Sequence, residues 1–429
     1  MRLRFGMLKI ANQLLLALAC TSLVKAIPDV IIGDLAQVNS PLNGQDLTDQ
    51  LLAAGIWSGA DELPGEWKKE TNVAGARISH LLARPRFLGE EVVLLRAVHR
   101  EDKLESLMVT FADAGSYFQY EPAATREQLE ARRSGLQAKQ KKFLELYQQR
   151  HERVKEKLGE IAKGRVKQQK QGTSRTLRAE LEVYSKGDLK LGLLADGHRM
   201  IRLTISREIP HEKSWLDADV HSMNAYARSK HFRSHVTSGK NGDVRIDGLS
   251  IVPQGYRPYC GINTLVMAAH YFGLHVDEDW LAVAGGFQNT GSAGTSNMLG
   301  LYNAVAKEAR LKISREREFD FHKARALLRD GIPVIVWRRF DHRRNRLHHQ
   351  VSLGLEKDPS VMLPEPDASD RATWPGKKHP VHASVIVGFN DQRKEVLFLE
   401  SWAGVKTPRR MRYEEMEATA TWVFYFRNS

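Results

Sequence analysis

Apolar and polar positions along the chain change their rhythm several times. Residues 27–55 read as a partly ordered leader with turn signals at Asn39, Pro41 and Asn43-Gly44. From Gly55 to Tyr120 the pattern is mixed: Ile78–Leu82 predicts a short helix, whereas Val92–Val98 and Leu104–Phe111 are β-rich runs. The polar Arg100-Glu101-Asp102-Lys103 between those runs predicts a hairpin.

Residues 125–171 predict helix. Thr125 and Gln128 form a capping-box pair. Leu129, Leu136 and Phe143 recur every seven residues, and Tyr147, Val154 and Ile161 continue on an adjoining seam position. The companion positions are Arg, Gln or Lys, so the stretch predicts a solvated helix or helical hairpin that packs one narrow stripe. Strand signals return at Leu181–Tyr184, Leu189–Leu194 and Met200–Ile205, with turns at Gly187-Asp188 and Asp196-Gly197. These strands are expected to join the earlier hairpin in one sheet, the helix being an excursion from it. The polar stretch that follows, with turns at Gly239 and Asn241-Gly242, makes 211–248 a linker.

Beyond it lies a helix preceded by a break. Pro258 interrupts local structure, Leu265, Ala268, Ala269 and Phe272 recur at helical spacing, and Gly273 ends the run. Cys260 therefore falls at or near a helix N-terminus. Far downstream, His382 opens a run of small and β-branched residues ending at Phe389. After the turn Asn390-Asp391, a second strand, Glu395–Leu399, leads into Glu400-Ser401-Trp402.

The chain has 429 residues, 27% charged and 42% hydrophobic, enough for two or three domains with proper cores. Residues 1–26 read as a cleavable signal peptide: Arg2, Arg4 and Lys9 precede the apolar Leu14–Val24, and Val24-Lys25-Ala26 suits cleavage before Ile27. The apolar stretch is short of the ~20 residues of a spanning helix, and Ala17-Leu18-Ala19-Cys20 is a poor lipobox. The expected location is secreted or periplasmic. Net charge is +13, and 126–178 alone hold 16 Lys/Arg against 6 Glu, so the high pI belongs to one segment. Contact with an anionic surface through 126–178 is one reading of that segment; no aromatic stacking residues or motifs point to nucleic acid.

Removal of the signal leaves Cys260 as the only thiol, unable to form an intramolecular disulfide. At a helix N-terminus, free N–H groups and the macrodipole favour its thiolate and can supply one oxyanion donor. Gln254, six residues earlier, can supply a second. His382 is the candidate base, with His379 as a fallback. Pairing of the two downstream strands would bring Glu400 to the Nδ1–H of His382, with Trp402 shielding that bond. Arg338–Gln350, which holds His342, His348 and His349, reads as a solvated loop at the cleft rim. Its cationic neighbours oppose metal binding, so no metal or organic cofactor is expected. Gly285-Gly286 and the glycines of 291–294 are loop glycines, because no Lys-Ser/Thr follows them.

These residues carry a resemblance. Gln254 and Cys260, then His382-Ala383 with Val387-Gly388-Phe389, then Glu400-Ser401-Trp402 resemble the papain-like cysteine peptidases, and more narrowly their bacterial double-glycine (bacteriocin-leader) peptidase-like branch. Gly261 after the cysteine favours the bacterial branch. Glu400 stands where the family has Asn or Asp, and Ala403 is inserted before Gly404. The resemblance covers 249–429 and none of the first 248 residues. It implies an α+β papain-like domain, a helical half plus an antiparallel β half. Cys260 would be the nucleophile, His382 the base, Gln254 the oxyanion donor and Glu400 the orienting residue, with Gly261 and Trp402 at the substrate cleft. A separate α/β region (27–124 and 179–210, with the basic helical segment 125–178) would precede it. The expected function is an exported cysteine peptidase acting on peptides or proteins. A non-catalytic peptide- or protein-binding module on a degenerate peptidase fold, and a thioester-forming acyltransferase or amidase, are the alternatives.

Overall fold

The computed structural model describes residues 38–118, 126–162, 164–172, 174–239, 241–254, 257, 259–286, 295–402 and 407–428. The expected signal peptide, Thr125 of the capping box and Ala403-Gly404 lie outside these residues. Among the described residues, no helix is long and apolar enough to cross a membrane.

The first half of the chain builds an antiparallel sheet. Its early strands are β1 (Trp67–Val73), β2 (Ala76–Leu81), β5 (Leu94–Arg100) and β6 (Lys103–Asp113), with a two-residue ribbon of β3 (Arg86–Phe87) and β4 (Glu90–Glu91) beside them. The hairpin turn Glu101-Asp102 has φ of 50° and 59°, the left-handed backbone that a two-residue turn needs between right-twisted strands. Helix α1 (Arg126–Ile161) follows, then β7 (Lys167–Gln171), β8 (Ala179–Lys186), β9 (Leu189–Asp196) and β10 (Met200–Ser206). The strand order is β1-β2-β5-β6-β10-β9-β8-β7, so β6 pairs with β10 and α1 is inserted between strands of one sheet.

Three features differ from the sequence reading of this half. Ile78–Leu82 is not a helix: Ile78 lies in β2 opposite Val98, because pairing on both sides decides the state of so short an apolar run. The helix stops at Ile161, ten residues early, and Lys167–Gln171 is an edge strand whose polar composition suits its exposed face. Residues 47–57 are no leader, since Leu47, Leu51, Leu52, Ile56 and Trp57 are buried in the core beneath this sheet. The stripe of α1 is Phe143, Tyr147, Val154 and Leu158. Buried Arg150 interrupts it, donating from Nη1 to the Phe111 carbonyl at 2.6 Å and pairing with Glu91 at 3.0 Å.

The second sheet contains β11 (Val236–Ser238), β12 (Asp243–Ile246), β13 (Leu311–Glu316), β14 (Val334–Arg339), β15 (Val381–Asn390), β16 (Glu395–Leu399), β17 (Arg409–Arg412) and β18 (Ala420–Asn428). Its order is β11-β12-β15-β14-β18-β13, with β16 on the free side of β15 and β17 beyond it. Gly388 lets β12 and β15 approach: a Cβ there would lie 2.5 Å from the Val244 carbonyl oxygen. The segment 211–248 is therefore folded and is not a linker. It carries α2 (Ala225–Arg233) with fully buried Phe232, and β12 pairs with β15. Its polar residues have structural work: Asp217 and Asn224 cap helices, and Asp243 pairs with Arg410.

Helices α3 (Cys260–Tyr271), α4 (Glu278–Ala284) and α5 (Thr295–Glu308) precede the main strands of this sheet, and α6 (Phe321–Arg329) and α7 (His342–Lys357) intervene. The α3 run is almost wholly buried. The N-terminal region is antiparallel α+β and is not separate from this part. Leu181, Leu194 and Met200 share one apolar cluster with Leu265, Trp280 and Phe272. Trp215 and Trp280 both donate their indole N–H to the Leu177 carbonyl, at 2.8 and 3.0 Å.

Candidate active site

Tyr259, with φ −103° and ψ 17°, turns the chain into α3 without a side-chain cap, so Cys260 is the first helical residue. Amide N–H groups of a first turn have no intrahelical acceptor and point out of the helix end. The helix start is fixed by the Asn263 amide donating to Val252 O at 3.1 Å. Thr264 Oγ1 donates back to Cys260 O at 2.8 Å. Cys260 is half-buried and its sulfur is hydrogen-bonded to the His382 imidazole, with the Gly261 and Ala383 N–H groups beside it. Burial pushes the thiol up, but the bond and charge of His382 and the two N–H groups outweigh it, and the pKa falls below the ordinary thiol value.

His382 lies near the start of β15, opposite Arg338 of β14. Its Nε2 is 2.6 Å from Glu400 Oε2. The sequence reading gave this bond to Nδ1; instead the ring turns so that Nε2 meets the carboxylate, leaving Nδ1 for the sulfur. Burial lowers the imidazole pKa, but the charge of Glu400 and the bond to Cys260 raise it to about 9. Trp402 stacks on the ring with centroids 4.7 Å apart at 27°, and Phe340 closes a second side at 5.1 Å. The indole and phenyl groups thus shield the His382–Glu400 bond from water.

Glu400 directly follows β16 with its side chain wholly buried. Oε1 accepts from Arg338 Nη2 at 2.7 Å, and Oε2 accepts from Ser384 Oγ at 3.0 Å. Burial raises its pKa, but His382 and Arg338 overcome this and hold the carboxyl at about 2. Arg338 is itself buried; its Nε donates to Ser384 Oγ at 3.2 Å and its Nη2 to Asn345 Oδ1 at 3.1 Å. The extra length of Glu400 relative to Asn or Asp is absorbed by this Arg338–Ser384 cradle.

Gln254 is tied to the residue next to Glu400. Its backbone N–H donates to Ser401 O at 2.9 Å, and its Oε1 accepts from Ser401 Oγ at 2.7 Å. Its Nε2 donates to Arg257 O at 3.3 Å, within the loop leading to Cys260. Gly261 accepts from the Tyr302 hydroxyl at 3.1 Å, and that hydroxyl accepts from Trp337 Nε1 at 3.1 Å. A Cβ at position 261 would come within 3.1 Å of Met298 Cε.

The structure thus brings together Cys260, His382 and Glu400, and ties Gln254 to Ser401 beside them. Trp402 touches the imidazole rather than only rimming a cleft. His379 is engaged elsewhere: its Nδ1 accepts from the Gly376 N–H at 3.1 Å. Arg338–Gln350 is not a solvated loop. It comprises the end of β14 and the start of α7, which Asp341 caps by accepting from the Arg344 N–H at 2.9 Å. Arg344 and His348 are buried against Glu415, which gives this basic run its interior partners. Among the described residues, no group of three or more His, Cys, Asp and Glu side chains is placed to hold a metal ion. Sequence reasoning missed Arg338, Ser384 and Ser401. The alternation Val334, Val336, Arg338 on one strand face was the available signal for the first.

Residues 246–426 match the model of the Peptidase_C39 like family. The match falls on the segment whose residues carried the peptidase resemblance. No curated protein matches the chain. Among solved structures, one similar chain is a C39-like peptidase from Bacillus anthracis, 14% identical over 44% of this chain and 98% of that one, with a TM-score of 0.29. Another is the peptidase domain of Streptococcus ComA, a bi-functional ABC transporter in quorum sensing, 15% identical over 42% of this chain and 100% of that one, with a TM-score of 0.26.

Proposed function

We propose that the chain is an exported cysteine peptidase that hydrolyses peptide bonds through Cys260. The observation that carries this reading is the hydrogen-bonded line from the Cys260 sulfur through the His382 imidazole to the Glu400 carboxylate. A lowered thiol pKa beside a raised imidazole pKa favours a thiolate–imidazolium pair at neutral pH. The thiolate attacks the scissile carbonyl carbon, a C–S bond forms, and the carbonyl π electrons move to oxygen. The Gln254 carboxamide and the Cys260 N–H donate to that oxyanion. The imidazolium gives its Nδ1 proton to the leaving amine as the C–N bond breaks. The neutral imidazole then takes a proton from water, whose oxygen attacks the thioester and expels the thiolate. Glu400 holds the ring and favours its cationic form throughout. Export rests on the signal-like residues 1–26.

Incubation of the full chain with casein and mass spectrometry of the products tests the proposal. Discrete peptides from the wild type and none from Cys260→Ala support it. Equal cleavage by both, or none by a folded wild type with reduced thiol, refutes it.

A further inference from the structure

The loop that carries Gln254 and leads into Cys260 is gripped from the other sheet. Arg257 lies in this loop with a side chain only 4% exposed. Its Nη1 donates to Asp279 Oδ1 and its Nη2 to Glu278 Oε1, the latter at 3.2 Å, both on α4. The same two carboxylates are held by Arg96 of β5: Nη1 donates to Asp279 Oδ2 at 3.0 Å, and Nη2 donates to Glu278 Oε1. Arg202 of β10 holds the preceding residue, with Nη1 2.7 Å from Asp277 Oδ2. Three guanidinium groups, two from the first sheet and one from the loop, thus converge on the consecutive Asp277-Glu278-Asp279. A nearby fourth acid, Asp113, has its pKa raised by burial and by the charge of Asp279.

A second contact reaches the residue before the nucleophile. The Tyr259 ring lies under the Arg257 guanidinium at 4.7 Å, and its hydroxyl fills the place where residue 115 has no side chain. A Cβ on Gly115 would lie 1.8 Å from that oxygen. Within the loop, Arg257 and Gln254 brace each other: Gln254 Nε2 donates to Arg257 O at 3.3 Å, and the Arg257 backbone N–H donates to Gln254 O at 3.3 Å. The Gln254 carboxamide is thus tied to the backbone of the residue whose guanidinium α4 holds, and the Arg257 Nε also donates to the Gln254 backbone carbonyl at 3.4 Å.

We infer that Arg257 is a positioning residue for the oxyanion site, clamped through Glu278 and Asp279 by Arg96, so that the first sheet is a working part of the hydrolytic unit. The inference rests on the peptidase reading above. Buried ion clusters add little net stability over apolar packing, whereas their bidentate geometry fixes position. An inhibitory segment that must leave for activity would not hold the oxyanion loop in place.

The test compares the full-length wild type with Arg257→Lys and Arg96→Lys, each of which keeps the charge and loses the fork. The substrate is a fluorogenic peptide built on a casein site that the wild type cuts, and iodoacetamide labelling of Cys260 is followed against pH. The expected result is a fall in kcat of roughly 10–100-fold with KM within about threefold. The labelling profile stays that of the wild type, because sulfur and imidazole are untouched. A kcat within twofold of wild type overturns the inference, as does labelling that collapses in step with kcat, which marks general loss of structure. If Arg257→Lys loses its near-UV circular dichroism, Arg96→Lys, on the other sheet, decides by the same criteria. A wild type that neither cuts casein nor labels rapidly overturns the peptidase reading, and this inference with it; a cutting wild type with unimpaired variants overturns this inference alone.

Discussion

His382 Nε2 and Glu400 Oε2 lie 2.6 Å apart, with the Trp402 indole stacked on the imidazole. The carboxylate is held at about 2 and the imidazole raised to about 9, so the pair carries opposite full charges over the neutral range. In the proposed mechanism, the imidazolium that would protonate the leaving amine is therefore present before substrate arrives.

Glu400→Gln keeps the size and removes the charge. The imidazole pKa, raised above its ordinary 6.5 chiefly by the Glu400 charge, should fall. Activity needs the proton on His382 and is lost as pH rises through that pKa. The alkaline limb of kcat/KM, expected near 9 in the wild type, should move to lower pH in the variant, with kcat down by about tenfold or more. A pH–rate profile of both proteins checks this.

Arg338→Met should destabilise the fold by about 1–3 kcal/mol, because it removes the cation that donates to Oε1 of the buried Glu400. The double variant with Glu400→Gln should be less destabilised than the two single effects together, with a coupling of about 0.5–3 kcal/mol. Urea unfolding of the four proteins in the cycle measures it.

If Gln254 donates to the oxyanion as proposed, Gln254→Ala should lower kcat by about 10²–10³-fold while KM changes little. Ser401→Ala should give a smaller loss in the same direction, since it frees the carboxamide that Ser401 Oγ holds at 2.7 Å. Steady-state kinetics on one peptide substrate separates the two parameters.

Gly388→Ala would place a methyl 2.5 Å from the Val244 carbonyl oxygen and force β12 away from β15. A loss of about 1–3 kcal/mol is expected from such overpacking. Urea unfolding measures it.

The meeting of Cys260, His382 and Glu400 could be anticipated from sequence because each sits in a short local pattern: a break before a helix, a strand of small residues, and the end of the next strand. Antiparallel pairing of two strands joined by one turn then brought Glu400 to His382. Arg338 was hidden because it lies 62 residues from Glu400, inside a run whose other Arg and His residues suggested solvent. Only the pairing of β14 with β15 puts it opposite His382. The folded state of 211–248 was hidden for a related reason: its polar residues are caps and buried ion-pair partners, and composition alone does not distinguish these from a solvated linker. The Arg96–Asp279 contact spans 183 residues and leaves no local trace. Which nitrogen of His382 meets Glu400 depends on ring orientation, which no sequence pattern encodes.

The central claim is that Cys260 is a thiolate at neutral pH because His382 is an imidazolium beside it. The most direct measurement is the rate of Cys260 alkylation by iodoacetamide between pH 5 and 10, in the wild type and in His382→Ala. The account predicts a wild-type rate at pH 6 well above that of free cysteine, and a limb in His382→Ala moved up towards the ordinary thiol range near 8.5. Identical profiles in the two proteins, both titrating as an ordinary thiol, would contradict it.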